Sequence, residues 1–355
     1  MIITSLLATL FVLGVLIFVH EFGHFIVAKR LGVKVERFSL GYPPKMIGFT
    51  RGDTEYCISW IPFGGYVKMA GENPDEDEIK GEPYEFQSKS IGVRALIIAA
   101  GPVMNFLTAI IILWMVYFFI GMAVADTETT KIGTVLQGNP AELAGIMPDD
   151  EIISVNGIEV YSFSEMADII HGAIEEPVVV KWLRDGEPFI ATITTVAEDV
   201  MLEDGSTKMV GMIGVGPSAR IESLGFFKAF AQGATATISI SKEILKFVYG
   251  LFSASISLEM IGGPILIAQM AGQTASQGFS SLLMFTALLS VNLAILNVLP
   301  IPVLDGGHLV FLFVEKIRGK PLSIDKRMRI QQVGMALLLI LMLVVTYNDI
   351  IRLIG

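Results

Sequence analysis

Two histidines stand four residues apart in the run His20-Glu21-Phe22-Gly23-His24. At that spacing both imidazoles leave one face of a helix, and Glu21 sits beside them. Such a pair can hold a divalent metal, with the carboxylate poised to take a proton from water that the metal activates, which is the chemistry of metal-assisted hydrolysis. A catalytic zinc keeps three protein ligands and one open position, so a third donor must come from a distant part of the chain. Only His171 and His308 remain as histidines, and Cys57 is the sole cysteine, which excludes a four-cysteine site and any intrachain disulfide. His171 falls in a water-facing segment and reads as an ordinary histidine. The stronger candidate is Asp305, in Asn297-Val298-Leu299-Pro300-Ile301-Pro302-Val303-Leu304-Asp305-Gly306-Gly307-His308. An Asp beside a membrane span costs about 2.5–3.5 kcal/mol to bury unless it is paired or metal-bound. His308 is the alternative donor.

The elements that must position these groups are membrane helices. Hydrophobic residues make up 53% of the 355 and charged residues only 17%, a balance that excludes an ordinary soluble enzyme. Four stretches, roughly 2–28, 94–123, 279–301 and 331–347 with its flank, are apolar and long enough to cross about 30 Å of hydrocarbon. The first lacks a basic leader and a small-residue cleavage site, so it reads as a retained span. A fifth stretch, 223–256, is interrupted by Lys228, Lys242, Glu243 and Lys246 and reads as one or two interfacial helices.

Lys29, Arg30, Lys34, Arg37, Lys45 and Arg51 follow the first span, and six more basic residues from Lys316 to Arg329 separate the third from the fourth. The positive-inside rule makes both loops cytoplasmic and puts both termini, with the segment between spans two and three, outside. That segment carries 5 Lys and Arg against 17 Asp and Glu between 126 and 220, a net −12 that exceeds the chain's −10. The acidity therefore belongs to one water-facing domain and argues against nucleic-acid binding.

After span one, Tyr56 to Met69 mixes aromatic and β-branched residues around Gly64-Gly65 and reads as a β-hairpin. Backbone of this kind tolerates membrane depth only where protein covers it or it lines a cavity. The acidic run from Glu72 to Glu82 reads as a solvated loop. Within span two, Pro102 and Asn105 read as helix-packing features. Residues 130–197 alternate short strands with a helix at 164–174 and end in strands at 178–183 and 189–195 joined by Asp185-Gly186, a succession that resembles a PDZ domain. The division expected is a membrane core at 1–125 with a cytoplasmic-side re-entrant β region near 38–71, a PDZ-like domain at 126–200, a connecting segment with interfacial helices at 201–275, and a second membrane core at 276–355.

Together, His20-Glu21-x-x-His24 and Asn297-x-x-Pro300-x-Pro302-x-Leu304-Asp305-Gly306 resemble the site-2 protease family of intramembrane zinc metalloproteases, and the PDZ-like insert resembles its bacterial branch. Gly64-Gly65-Tyr66-Val67-Lys68-Met69 is similar to that family's re-entrant β-loop, and Gly262-Gly263-Pro264-Ile265 to a loop before span three. The resemblance covers nearly the whole chain, though several relatives carry two PDZ domains where this one has room for one. It implies a polytopic α-helical protein of the bacterial inner membrane with one zinc held by His20, His24 and Asp305. Glu21 would be the general base, and Asn297, Asn292, Gly64 and Gly65 would contact substrate. The implied substrates are single-span membrane proteins, such as anti-sigma factors or remnant signal peptides, cut first outside the membrane by another protease. The competing reading is a non-catalytic membrane adapter that tethers partners through its PDZ-like domain.

Overall fold

A computed structural model of the protein describes residues 2–72, 80–201, 207–253, 255–257 and 260–354. Most of the acidic run after Glu72 lies outside these residues. The chain forms two compact units, one built from Met1–Ile120 with Leu224–Gly355 and the other from Gly121–Ser223.

The first unit opens with α1 (Ile2–Arg30), whose unbroken apolar run satisfies every backbone bond internally, as lipid requires. Two long strands follow, β1 (Val35–Arg51) and β2 (Thr54–Met69), paired antiparallel around a turn at Gly52-Asp53. The turn of the hairpin is therefore here, and Gly64-Gly65, which looked like its break, lies inside β2. Register shifts bring residues 37–40 against both 55–58 and 65–68, while 45–51 pairs with 54–59. The sheet is thus four ribbons wide, with 65–69 along one edge. Its inner face packs Phe38, Val67 and Met69 against Phe25 and Ala28 of α1 and Ile97 and Ile98 of α2 (Ile91–Phe119). Half of the apolar window of α2 is buried against 17% for α1, which makes α2 the enclosed spine of this unit.

The second unit is α+β. Strands β3 (Met122–Ala125) and β4 (Ile132–Val135) lead to α3 (Pro140–Leu143), β5 (Glu151–Val155), β6 (Ile158–Glu159) and α4 (Phe163–Gly172). Then come β7 (Pro177–Arg184), β8 (Glu187–Thr194), β9 (Val196–Met201), β10 (Thr207–Met212), β11 (Val215–Pro217) and β12 (Ala219–Glu222). Asp185 and Gly186 both take positive φ in the tight β7–β8 turn, as an Asp-Gly hairpin requires. The order β6-β5-β7-β8 makes the main sheet, and β11 and β12 return to pair with β4 and β3. Residues 207–222, assigned from sequence to a connecting segment, thus close this unit, and Ile213 joins Ile132, Ile152, Val180 and Trp182 in its core.

The chain returns to the first unit through α5 (Phe226–Phe252), a single amphipathic helix, then α6 (Pro264–Gln277), α7 (Phe279–Val298), α8 (Asp305–Arg318) and α9 (Ile324–Ile354). Four of the helices, α1, α2, α7 and α9, are long and apolar enough to cross a membrane. Ala8, Val12 and Leu16 of α1 pack on Ala271 of α6 and on Leu282 and Phe285 of α7. Pro300 and Pro302 follow the end of α7, where neither ring can continue the helix, and the chain re-enters helix at Asp305. Near the far end of α9, the buried Asp349 carboxylate accepts hydrogen bonds from the N–H groups of Gly263, Ile265 and Leu266 at 3.0–3.1 Å, capping α6 from another helix. Asp349→Ala leaves three donors unpaired and is expected to cost about 1–2 kcal/mol, the scale of a lost N-cap. The check is the thermal midpoint of the detergent-solubilised protein, with Asp349→Asn falling less because it keeps an acceptor oxygen.

Candidate metal centre

One turn apart on α1, His20 and His24 set their rings nearly perpendicular, at 84°, with Nε2 atoms 3.2 Å apart. Asp305, the first residue of α8, brings Oδ2 to 3.2 Å from His20 Nε2 and Oδ1 to 3.6 Å from His24 Nε2. Among the described residues these three form the only His, Cys, Asp or Glu group whose donor atoms converge closely enough for a metal, all within 4.8 Å of one another. A tetrahedral zinc with bonds of about 2.0–2.1 Å holds its ligands about 3.3 Å apart, close to the 3.2 Å that separates the two Nε2 atoms and to the 3.2 Å between His20 Nε2 and Asp305 Oδ2. Asp305 Oδ2 is buried and makes no hydrogen bond despite its neighbours. Lone pairs aimed at one another across so short a gap are what a cation satisfies, so the residues fit zinc.

Three features fix the donors. His24 Nδ1 donates to the Ile97 carbonyl at 2.8 Å, which leaves Nε2 unprotonated and facing the cluster. Gly101 on α2 sits directly over the rings: a methyl there would overlap His24 Nε2 and lie 2.7 Å from His20 Cε1. A forked ion pair between buried Arg94 of α2 and Glu315 of α8 ties the helix that begins with Asp305 to the spine.

Glu21 faces the same cavity, which measures about 210 Å³ and is lined also by His20, His24, Asp305, Glu72 and His308. Gly65 in β2 allows the sheet edge to press on this carboxylate, since a Cβ there would fall 2.9 Å from Glu21 Cγ and 2.8 Å from the Ser39 carbonyl. Burial pushes the Glu72 carboxyl up to about 7 in the protein alone, and a dication in the cavity would oppose that. Burial and the Arg327 guanidinium, 3.1 Å from its Nδ1, push the His308 imidazole below its ordinary value.

The geometry brings together His20, Glu21, His24, Asp305 and Gly65. His308 lines the cavity without joining the three-donor cluster, and His171 lies in the other unit on α4. Asn297 is buried at the end of α7 and Asn292 is half-buried one to two turns earlier, and neither they nor Gly64 are among the residues lining the cavity. Sequence reasoning favoured a packing role for Asn105 over a direct role in catalysis, yet its amide lies 3.2 Å from His20 Nδ1. Its signal was available, a polar side chain in a span that lipid alone cannot satisfy. Glu72 and Arg327 had no local signature, since each reads as one charge among many in a basic or acidic run.

A two-histidine, one-carboxylate centre with a glutamate beside it, built on membrane-spanning helices, defines a membrane-embedded metallohydrolase. Residues 8–341 match peptidase family M50. The chain is 31% identical to the regulator of sigma-W protease RasP of Bacillus subtilis, over 99% of this chain and all of that one. It is 31% identical to zinc metalloprotease RasP of Oceanobacillus iheyensis, over 99% of both chains, and 32% identical to that of Shouchella clausii, over 98% and 99%. A solved PDZ domain of the SdrC-like protein of Listeria monocytogenes aligns to 25% of the chain at 20% identity and a TM-score of 0.20, too slight a likeness to add to the topology. The chain belongs to peptidase family M50 and is an intramembrane zinc metalloprotease.

Gly101→Ala is expected to weaken zinc at least about tenfold, the scale on which misdirected ligands lose metal. Competition with a chromophoric chelator measures it, and the far-ultraviolet circular dichroism of the metal-free protein should not change.

Proposed function

We propose that this protein hydrolyses a peptide bond within the membrane-spanning segment of single-span proteins of the bacterial inner membrane, after another protease has trimmed them outside. The observation that carries the reading is the position of the donor cluster: His20 and His24 belong to a membrane span, with Glu21 on the same cavity. Zinc bound by His20, His24 and Asp305 would polarise the scissile carbonyl and lower the pKa of water to about 7. Glu21 takes the proton from the attacking water and passes it to the amine nitrogen as the C–N bond breaks. Asn297, supported by Asn292, is the proposed donor to substrate backbone or to charge developing on the carbonyl oxygen.

A helix in lipid shields its carbonyls in internal hydrogen bonds and must unwind before attack. The edge ribbon 65–69 borders the cavity through Gly65, Tyr66, Val67 and Met69 and offers replacement backbone bonds by strand addition. The basic residues after α1 and between α8 and α9 support a cytoplasmic-side active site, with both termini and the 121–223 unit outside. In that unit a narrow groove between α4 and residues 212–215, lined by Met166, Ile170 and Ile213, supports a PDZ-like role in receiving an extended chain or screening substrates by size.

Glu21→Gln is expected to keep the fold and bound zinc while cleavage falls at least about 100-fold, the usual contribution of a general base. Membrane proteomics of wild type against this variant should reveal truncated single-span proteins that accumulate only in the variant; cleavage by the metal-replete variant at the wild-type rate would sink the mechanism. Tyr66→Pro should slow cleavage of a helical span more than of one loosened by glycines, whereas equal losses would count against strand addition.

A further inference from the structure

We infer that Asn105 is a positioning residue that holds His20 in the tautomer a zinc ligand needs, by accepting a hydrogen bond from Nδ1–H on its side-chain oxygen. The inference rests on the proposed ligand set and concerns what orients one member of it.

The two histidines face the cluster through the same atom, Nε2, so both must carry their proton on Nδ1 when metal is bound. For His24 the acceptor is the Ile97 carbonyl at 2.8 Å, an oxygen that can only accept. His20 has no backbone counterpart. Its Nδ1 meets the carboxamide of Asn105, from α2, 85 residues further along the chain. The nitrogen Nδ2 lies 3.2 Å from His20 Nδ1. In that orientation the amide donates, which puts the imidazole proton on Nε2, where metal would displace it. The other end of the same amide, Oδ1, is buried without any hydrogen-bond partner, on a residue that is fully buried. A half-turn of the nearly isosteric carboxamide exchanges its two ends and presents the orphaned oxygen to Nδ1–H. His20 then ligates through Nε2 and is braced as His24 is.

The rest of Asn105 is anchored for this task. Its backbone carbonyl accepts a hydrogen bond from Ser290 Oγ of α7 at 2.7 Å, a buried contact between the second and third spans. The residue is one helical turn beyond Gly101, whose lack of a side chain admits both rings against α2. One face of α2 therefore supplies room for the rings, a carbonyl for one and an amide for the other.

Zinc affinity of the full-length chain in detergent, by chelator competition, tests this. Asn105→Asp keeps an acceptor at the same place and is expected to bind zinc within threefold of wild type. Asn105→Leu fills the same volume without one and is expected to bind about 10–100-fold more weakly, the usual range for losing the partner of a metal-bound histidine. If the Leu variant does not yield folded protein, Asn105→Ala replaces it, with the thermal midpoint of the metal-free form as the folding check. Wild-type affinity in Leu or Ala, or an equal loss in Asp and Leu, would overturn the assignment, since Asn105 would then be either idle or mere packing. His20→Ala separates this from the ligand assignment. Its loss of zinc alongside an unaffected Leu variant refutes only the role of Asn105, whereas undiminished zinc in His20→Ala refutes the ligand set itself.

Discussion

Two imidazole nitrogens and a carboxylate converge closely enough for a metal, with Asp305 3.2 Å from His20 Nε2 and 3.6 Å from His24 Nε2. In an apolar setting that arrangement is costly unless a cation neutralises it, and the remainder of the first unit reads as the means of holding it together. Asp305 heads a helix that the two prolines release from α7, and Glu315 near the far end of that helix ties it to Arg94 on the spine. The spine in turn is cut back to glycine where the imidazoles pass.

The β-sheet serves the same centre from the other side. By narrowing to glycine at position 65 it brings a strand edge onto the Glu21 side chain, so the proposed proton carrier and the backbone proposed to meet the substrate are neighbours. A bond can be cut only once its helix has been opened, and placing the strand edge beside Glu21 lets unwinding and attack occur at one location.

Much of this was legible in the sequence, and the reasons are physical. His20, Glu21 and His24 announce themselves by helical period, the four spans by hydropathy, and Asp305 by the cost of a carboxylate at the end of an apolar run. The Asp185-Gly186 hairpin follows from φ preference. What stayed hidden depends on contacts remote in sequence. The turn of the long hairpin falls at Gly52-Asp53 and not at Gly64-Gly65, because the glycine at 65 is spent on a close approach to α1 and leaves no local trace of that purpose. Strands β11 and β12 pair with partners some 80 to 100 residues earlier and β10 pairs with β9, and their short segments carry too little alternation to declare themselves. Asn105 and Asp349 show in the sequence as polar residues within spans, but only the fold reveals that one meets a metal-site histidine and the other caps α6.

We propose that the bond cut lies inside the membrane because the zinc does. This is tested most directly by reconstituting the protein in lipid vesicles with a single-span protein already shortened outside, and locating the new termini by mass spectrometry. The account predicts a cut between residues of the spanning segment, absent with Glu21→Gln. Termini confined to the water-exposed flanks, produced by wild type and abolished in the same variant, would contradict it.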